Sequence, residues 1–162
     1  MKKRIMRWAF ILIILIVIAD QWSKEIVRVW LEGGAQSLTS FLNFVTAWNP
    51  GVAFSFFDEG GTQGKWMLII VSLAVCLILL RWLNRADNWL TGIGIGLIVG
   101  GALGNVIDRF RFSAVFDFID FYIGEYHWPA FNLADSAITI GVACLILDGL
   151  FPKDKGAKKG RG

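Results

Sequence analysis

Histidine is nearly missing from this chain: His127 is the only one. A single imidazole excludes a His-Glu-x-x-His zinc site, and a serine or cysteine nucleophile would have to share that one ring. Cysteine is scarce too. Cys76 and Cys144 lie in the middle of apolar runs, without the close spacing of a metal site and without charged neighbours that activate a thiol, so packing accounts for both. Charge is in short supply: Asp, Glu, Lys and Arg make up 18% of the residues, against about 25% in a soluble domain. With 56% of the chain apolar, much of it must face lipid. The first apolar run has the basic start of a secretory signal but no small-x-small cleavage site, since Asp20, Gln21 and Lys24 come instead, which makes it an uncleaved anchor. Gly94-Ile95-Gly96 meets Val99 where a dinucleotide fingerprint needs a third glycine, and no strand precedes it. There is no internal repeat.

Four stretches approach the roughly 20 residues that cross a hydrocarbon core: about 5–27, 66–83, 89–107 and 133–151. Trp or Tyr marks several of their ends. Lys2, Lys3, Arg4 and Arg7, the link residues Arg81 and Arg85, and the tail residues Lys153, Lys155, Lys158, Lys159 and Arg161 all fall on one side. The positive-inside rule makes that side the cytoplasm, and these clusters read as membrane anchors rather than as a nucleic-acid surface. Both termini are then cytoplasmic, and the long connections 28–65 and 108–128, which hold most of the acids, face outward. The expected fold is an all-α polytopic membrane protein: one membrane-embedded domain over 1–152 and a disordered basic tail over 153–162. A small sheet on the outer surface is expected over about 35–57, where Phe, Val, Thr and Trp are broken by the turn signal Asn49-Pro50-Gly51. Asp58 to Gly64 reads as a mobile loop. Gly96, Gly100 and Gly104 share one face of the third span and let a neighbouring helix come close.

A charge at the bilayer centre costs roughly 2.5–3.5 kcal/mol even on the lenient insertion scale, so polar residues beside the spans need a reason. Asp20 and Lys24 are one turn apart near the outer end of the first span and can pair. Gly101, Asn105 and Asp108 fall at i, i+4 and i+7 on the third span, with Arg109 beside them. Asp117 and Asp120 follow in the second outer loop among Phe116, Phe118, Ile119 and Phe121, and Asn132 and Asp135 open the fourth span. Each has a bland reading: Asp20 with Lys24, or Asp108 with Arg109, as ion pairs that pin helix ends, and Asn132 as an N-cap with Asp135 as its acidic first-turn residue. Asp58, Glu59, Asp87 and Asp154 read as surface charges, and Asp148 near the inner end can reach water or Lys153. The gathering of carboxylates and amides at one depth is harder to explain as pinning. Two close carboxylates in a low-dielectric site cannot both ionise, so one keeps its proton while the other acts as base toward a water. That is aspartyl-protease chemistry.

At these residues the chain resembles the lipoprotein signal peptidases, or signal peptidase II, a family of aspartyl proteases. The resemblance rests on five motifs in order: Asp20-Gln21-Trp22-Ser23-Lys24, Asn49-Pro50-Gly51-Val52-Ala53-Phe54, Gly100-Gly101-Ala102-Leu103-Gly104-Asn105-Val106-Ile107-Asp108-Arg109, Val115-Phe116-Asp117-Phe118, and Phe131-Asn132-Leu133-Ala134-Asp135-Ser136-Ala137-Ile138. It implies that Asp117 and Asp135 are catalytic. It further implies that Asp20, Lys24, Asn105, Asp108, Arg109, Asn132 and Ala134 support the site or hold substrate, and that Asn49 and Gly51 belong to a cradling sheet. Ser23 stands where the family often has Thr and Phe116 where it often has Val, both mild departures. The implied substrate is a diacylglyceryl-modified prolipoprotein in the membrane of a bacterium, cut before the lipidated cysteine of its lipobox by a monomer that needs no metal or cofactor. Asp108 competes with Asp117 as an outer-edge acid, but Arg109 beside it favours a structural charge.

Two other classes fit some of the same residues. Intramembrane acids could carry ions or protons through a small transporter, although a pathway needs relays at several depths and only Asp148 lies toward the inside. In an assembly protein the polar residues would only cement helices together.

Overall fold

The computed structural model describes residues 1–51 and 62–150. Its four long helices are α1 (Lys2–Trp30), α2 (Thr62–Leu83), α3 (Trp89–Phe112) and α4 (Leu133–Leu150), each long and apolar enough to cross a membrane. Strands β1 (Gln36–Thr39), β2 (Leu42–Asn49), β3 (Val115–Ile123) and β4 (Tyr126–His127) form one antiparallel sheet in that order.

Helix α3 is the hub. In its most apolar stretch 67% of residues are buried, against 17–22% in the other three, whose remaining surface is left for lipid. Glycine is what makes this possible. A Cβ on Gly96 would press on the Ala9 carbonyl and Leu12, one on Gly100 on Ile16, and one on Gly104 on the Asp20 carboxylate, so this face lets the backbone of α1 approach. Gly94 and Gly101 do the same toward α4, where Gly141 and the Ala134 carbonyl stand against them. A methyl group at Gly101 must displace backbone at the very turn that carries Asp135. Gly101→Ala is therefore expected to cost about 1–3 kcal/mol, the usual penalty for overpacking. Gly149→Ala, where a Cβ meets nothing within 4 Å, is the matched control in a thermal unfolding series.

At the end of the bundle away from the sheet, Asn88 caps α3 by accepting the Thr91 N–H at 2.8 Å. Asp148 Oδ2 accepts from Thr91 Oγ1 at 2.7 Å and from Asn88 Nδ2 at 3.1 Å. The carboxylate expected to look toward water or Lys153 instead ties the start of α3 to the end of α4, and Lys153 is outside the described residues. The Arg4 guanidinium lies 5.4 Å from the centre of the Trp89 ring, which places the basic N-terminus at this same end.

Helices α1, α2 and α3 outrun the apolar stretches that announced them, because backbone hydrogen bonding continues past the last residue that prefers lipid. Helix α3 runs on to Phe112, where Ser113 takes the left-handed conformation (φ 63°) and its N–H closes on the Arg109 carbonyl at 3.1 Å. Helix α2 begins at Thr62, so residues 62–64, expected in a mobile loop, are helical. Residues 52–61, with the second half of the expected strand pair and the rest of that loop, lie outside the described residues.

The largest correction concerns the connection between α3 and α4, expected as an outer loop. It is not a loop but supplies β3, the longest strand, which pairs with β2 through Ala47 opposite Asp117 and Asn43 opposite Asp120. The run Val-Phe-Asp-Phe-Ile-Asp-Phe-Tyr-Ile has the aromatic and β-branched content of a strand. Its first four residues are all buried, so it lacks the alternation that betrays a half-buried strand. Phe116 and Phe118 pack with Val27 of α1 and with Leu31 just past its C-terminus, and Phe44 meets Phe118 edge-on at 5.5 Å. The sheet is thereby seated on the ends of the spans.

Candidate active site

Two linked polar layers occupy the junction of α1, α3, α4 and the sheet. In the deeper layer Lys24 is 5% exposed and bonded on three sides: Asp20 Oδ2 at 2.8 Å, Asp108 Oδ2 at 2.9 Å and Asn105 Oδ1 at 3.1 Å. Asp108 is thus paired with Lys24 and not with its neighbour Arg109, as the sequence had suggested. Asp20 and Asp108 are also fully buried, and one ammonium cannot neutralise two carboxylates. The surplus is met by hydrogen bonds. Asp20 accepts the Ala134 N–H at 3.0 Å, Asp108 accepts the Phe116 N–H at 3.2 Å, and Gln21 Nε2 donates to Asp108 at 2.8 Å. The first ties α1 to α4, which carries Asp135, the second ties α3 to β3, which carries Asp117, and the third joins α1 to α3. Gln21 was missed as a partner, although its motif was noticed, because nothing in one-dimensional spacing shows that it reaches across to α3.

Asn105 joins the layers. Its Oδ1 accepts from Lys24 and, at 3.3 Å, from Asn132 Nδ2, which turns its own Nδ2 to donate to Asp135 Oδ1 at 2.8 Å. Asn132 does most of the remaining work. Its Oδ1 accepts the Asp135 N–H at 3.0 Å while Asp135 Oδ2 accepts the Asn132 N–H at 3.2 Å, a reciprocal cap of the α4 N-terminus. Its Nδ2 donates to Asp117 Oδ1 at 2.7 Å. The capping reading of Asn132 and Asp135 is therefore right, and Asn132 holds both carboxylates, Asp117 by its side-chain amide and Asp135 by its backbone N–H.

Asp117 Oδ2 accepts from Asn49 Nδ2 at 3.1 Å, and Asn49 is held in turn by the Gly51 N–H, which donates to its Oδ1 at 2.9 Å. Gly51 needs its φ of +97°, and a Cβ there would also strike Leu68. Asp117 is 3% exposed, and burial, with the nearby Asp135 charge, outweighs the bonds from Asn49 and Asn132 and raises its pKa to about 6. Arg109 stands within electrostatic reach of Asp135, Asp117 and Asp108. It donates only a long 3.5 Å bond to the Asn105 carbonyl, and its buried Nε has no hydrogen-bond partner among the described residues. Asp135 opens onto a cleft of about 400 Å³ walled by Trp128, Phe131, Ser136, Thr139 and Ile140. Asp120, three residues after Asp117, is not part of this network and pairs instead with His127 and Asn43. Among the described residues no three His, Cys, Asp or Glu side chains converge as metal ligands would.

Four spans with a buried carboxylate and amide network at one end define a multi-pass membrane protein. Comparison with known proteins gives that class a family. The family model described as Signal peptidase (SPase) II matches residues 12–151, nearly the whole chain. The lipoprotein signal peptidase of Aeromonas hydrophila is 44% identical over 156 residues, covering 93% of this chain and 92% of that one. That of Methylorubrum extorquens is 45% identical over 140 residues, covering 82% and 80%. A bacterial membrane enzyme solved by the in meso method superposes with a TM-score of 0.77 at 29% identity, covering 95% of this chain and 94% of that one. The chain belongs to the signal peptidase II family: it is a multi-pass bacterial membrane peptidase that processes lipoproteins. Membership of a peptidase family decides against the transporter and scaffold readings.

Proposed function

We propose that Asp117 and Asp135 are the catalytic pair and that the chain cuts diacylglyceryl-modified prolipoproteins just before the lipidated cysteine. The observation that carries this reading is the single Asn132 side chain and backbone that bind both carboxylates. Both carboxylates are held by one residue, Asn132, and the burial of Asp117 favours its proton, so the pair works as one acid and one base. Asp117, with its raised proton affinity, holds the proton and donates a hydrogen bond to the scissile carbonyl oxygen. Asp135, which accepts from two N–H donors, takes a proton from water as the water attacks the carbonyl carbon. Collapse of the tetrahedral intermediate breaks the C–N bond, and the proton gained by Asp135 goes to the leaving amine.

Arg109, with donors unspent, and Asn105 hold substrate or the pair, while Asp20, Lys24, Asp108 and Ala134 brace them from below. Asn49 and Gly51 hold Asp117 from the sheet. The basic end formed by Arg4 with Trp89 lies opposite the site, so both termini belong in the cytoplasm and the pair at the outer face. A lipid-anchored cysteine brings its peptide bond to that depth. Residues 1–152 act as one domain and as a monomer, with 153–162 as a basic tail.

The test is the purified protein in detergent with a synthetic lipobox precursor, in diacylglyceryl-modified and unmodified forms. The modified form is expected to release its signal peptide at least about a hundredfold faster, because the lipid anchors and orients the bond. No release, or equal release from both forms, would overturn the proposal.

A further inference from the structure

The sheet carries a second cavity that the chemistry above does not use. It measures about 550 Å³ and is lined by Phe41, Phe121, Tyr122, Tyr126 and Trp128 among others, with Phe131 at its inner wall. Trp128 and Phe131 also wall the cleft beside Asp135, so the two spaces adjoin across shared side chains. The chamber is built rather than accidental. Phe41 and Phe121 stack at 6.5 Å, and Phe121 and Phe131 stack at 5.9 Å. Its outer wall is pinned by a buried carboxylate: both Asp120 oxygens lie 2.9 Å from His127 Nδ1, Asn43 Nδ2 donates to Oδ2 at 3.1 Å, and the His127 ring stacks on Tyr122 at 5.2 Å. His127 stands between Tyr126 and Trp128, which are left 70% and 60% exposed, and Phe41 and Phe121 are also exposed, so the chamber is an open groove rather than a closed cavity.

The lining says what the occupant is made of. The polar backbone groups of the walls are spent on one another: Trp128 N–H donates to the Phe121 carbonyl at 2.8 Å, Tyr122 N–H to the Phe41 carbonyl at 3.0 Å and Phe131 N–H to the Ile119 carbonyl at 3.1 Å. The Tyr122 hydroxyl is turned away to the Thr39 carbonyl at 3.2 Å. A peptide laid here would find few unspent backbone partners in these walls for its own N–H and C=O groups. A saturated hydrocarbon chain has none to satisfy.

We propose that this aromatic chamber seats one acyl chain of the substrate's lipidated cysteine while the scissile bond lies against Asp135. The proposal rests on the cleavage reading above. An acyl chain that leaves lipid for the chamber exchanges one apolar surrounding for another, so the hydrophobic contribution nearly cancels. What the chamber supplies is position, because a chain seated beyond Trp128 and Phe131 sets where its cysteine end can stop.

Photocrosslinking tests it. A lipobox precursor with a diazirine at the end of one acyl chain is bound to the Asp135→Asn protein, irradiated, and the adducts are mapped by mass spectrometry. Adducts are expected on Phe41, Tyr126 and Trp128, and a phosphatidylglycerol carrying the same diazirine in the surrounding micelle should not label them. Labelling confined to lipid-facing residues of α2 such as Leu77 and Ile78, or equal labelling of the chamber by the phosphatidylglycerol, overturns the assignment. A photoreactive leucine in the lipobox that labels the chamber does so too, by giving the space to a peptide side chain. In a parallel assay, Phe41→Ala with Tyr126→Ala is expected to lower kcat/KM for a long-chain precursor about tenfold and for a short-chain precursor much less. Equal losses for both would again count against the chamber. Cleavage of the diazirine precursor by the unsubstituted protein separates the two ideas. If it is not cut, the cleavage reading fails and this one with it; if it is cut and the chamber stays unlabelled, only the acyl seat fails.

Discussion

Asp117→Asn and Asp135→Asn should each lower kcat toward the lipidated precursor by on the order of 10³-fold, the weight of a positioned acid or base, without loss of the fold. The stability half of that expectation follows from the sign of the shift on Asp117. Its pKa is raised from 3.8 to about 6, so the folded protein holds that proton more firmly than the unfolded chain. The resulting stabilisation is fully present below 3.8 and is lost as pH rises through about 6. Above that range an ionised, buried Asp117 works against the fold. Asp117→Asn is then expected to melt no lower than the unsubstituted protein at pH 8 while remaining inactive there. A variant that loses abundance and melting temperature together with turnover would mean that Asp117 only cements the helices.

The same shift sets a pH profile. Activity needs one proton on the pair, so kcat/KM should decline on the alkaline side as the free enzyme loses it, with an inflection near 6. Asn49→Ala removes a bond that favours the ionised form of Asp117, and the alkaline limb should move upward. A limb that stays in place in that variant would detach Asp117 from the titration that controls the rate.

Lys24→Met is expected to give the largest loss of stability of any single replacement discussed, about 3–5 kcal/mol, because it leaves Asp20 and Asp108 buried with no opposing charge. The three groups are almost wholly shielded from solvent, so added salt should not restore the protein. Combining Lys24→Met with Asp20→Asn and Asp108→Asn removes the uncompensated charges and should recover part of the loss. Thermal unfolding in detergent of the single and triple variants measures both. A Lys24→Met protein that melts normally would show that the ion triad is not what braces the site. The triple variant should still turn over slowly, since Asn105 loses the donor that helps aim its amide at Asp135.

Asp20 and Lys24 show how much of the site could be read in one dimension, and how much could not. A helical spacing of four brings them together wherever the helix lies, and they do pair. The i+3 relation of Asn132 to Asp135 likewise announced a cap, because a cap is local. The partner of Asp108 was misjudged for the opposite reason: adjacency to Arg109 carries no information about side-chain direction on a helix, and Lys24 lies 84 positions away in the chain. Asp120 was grouped with Asp117 by proximity in sequence. On a strand two residues three apart point to opposite faces, and Asp120 accordingly belongs to the sheet's outer pin with His127.

Hydropathy was enough to give the number of spans, and helical spacing was enough to bring some of the polar residues to one end of them. The first depends on what each segment can leave exposed to lipid, a property of local composition, and the second on the period of a single helix. Which acids are held by one asparagine, that β3 and not a loop presents Asp117, and that an aromatic hollow adjoins the cleft were decided only in three dimensions. Each depends on the close approach that glycines on α3 allow and on the register between β2 and β3, and contacts between distant segments leave no periodicity in either one to be read.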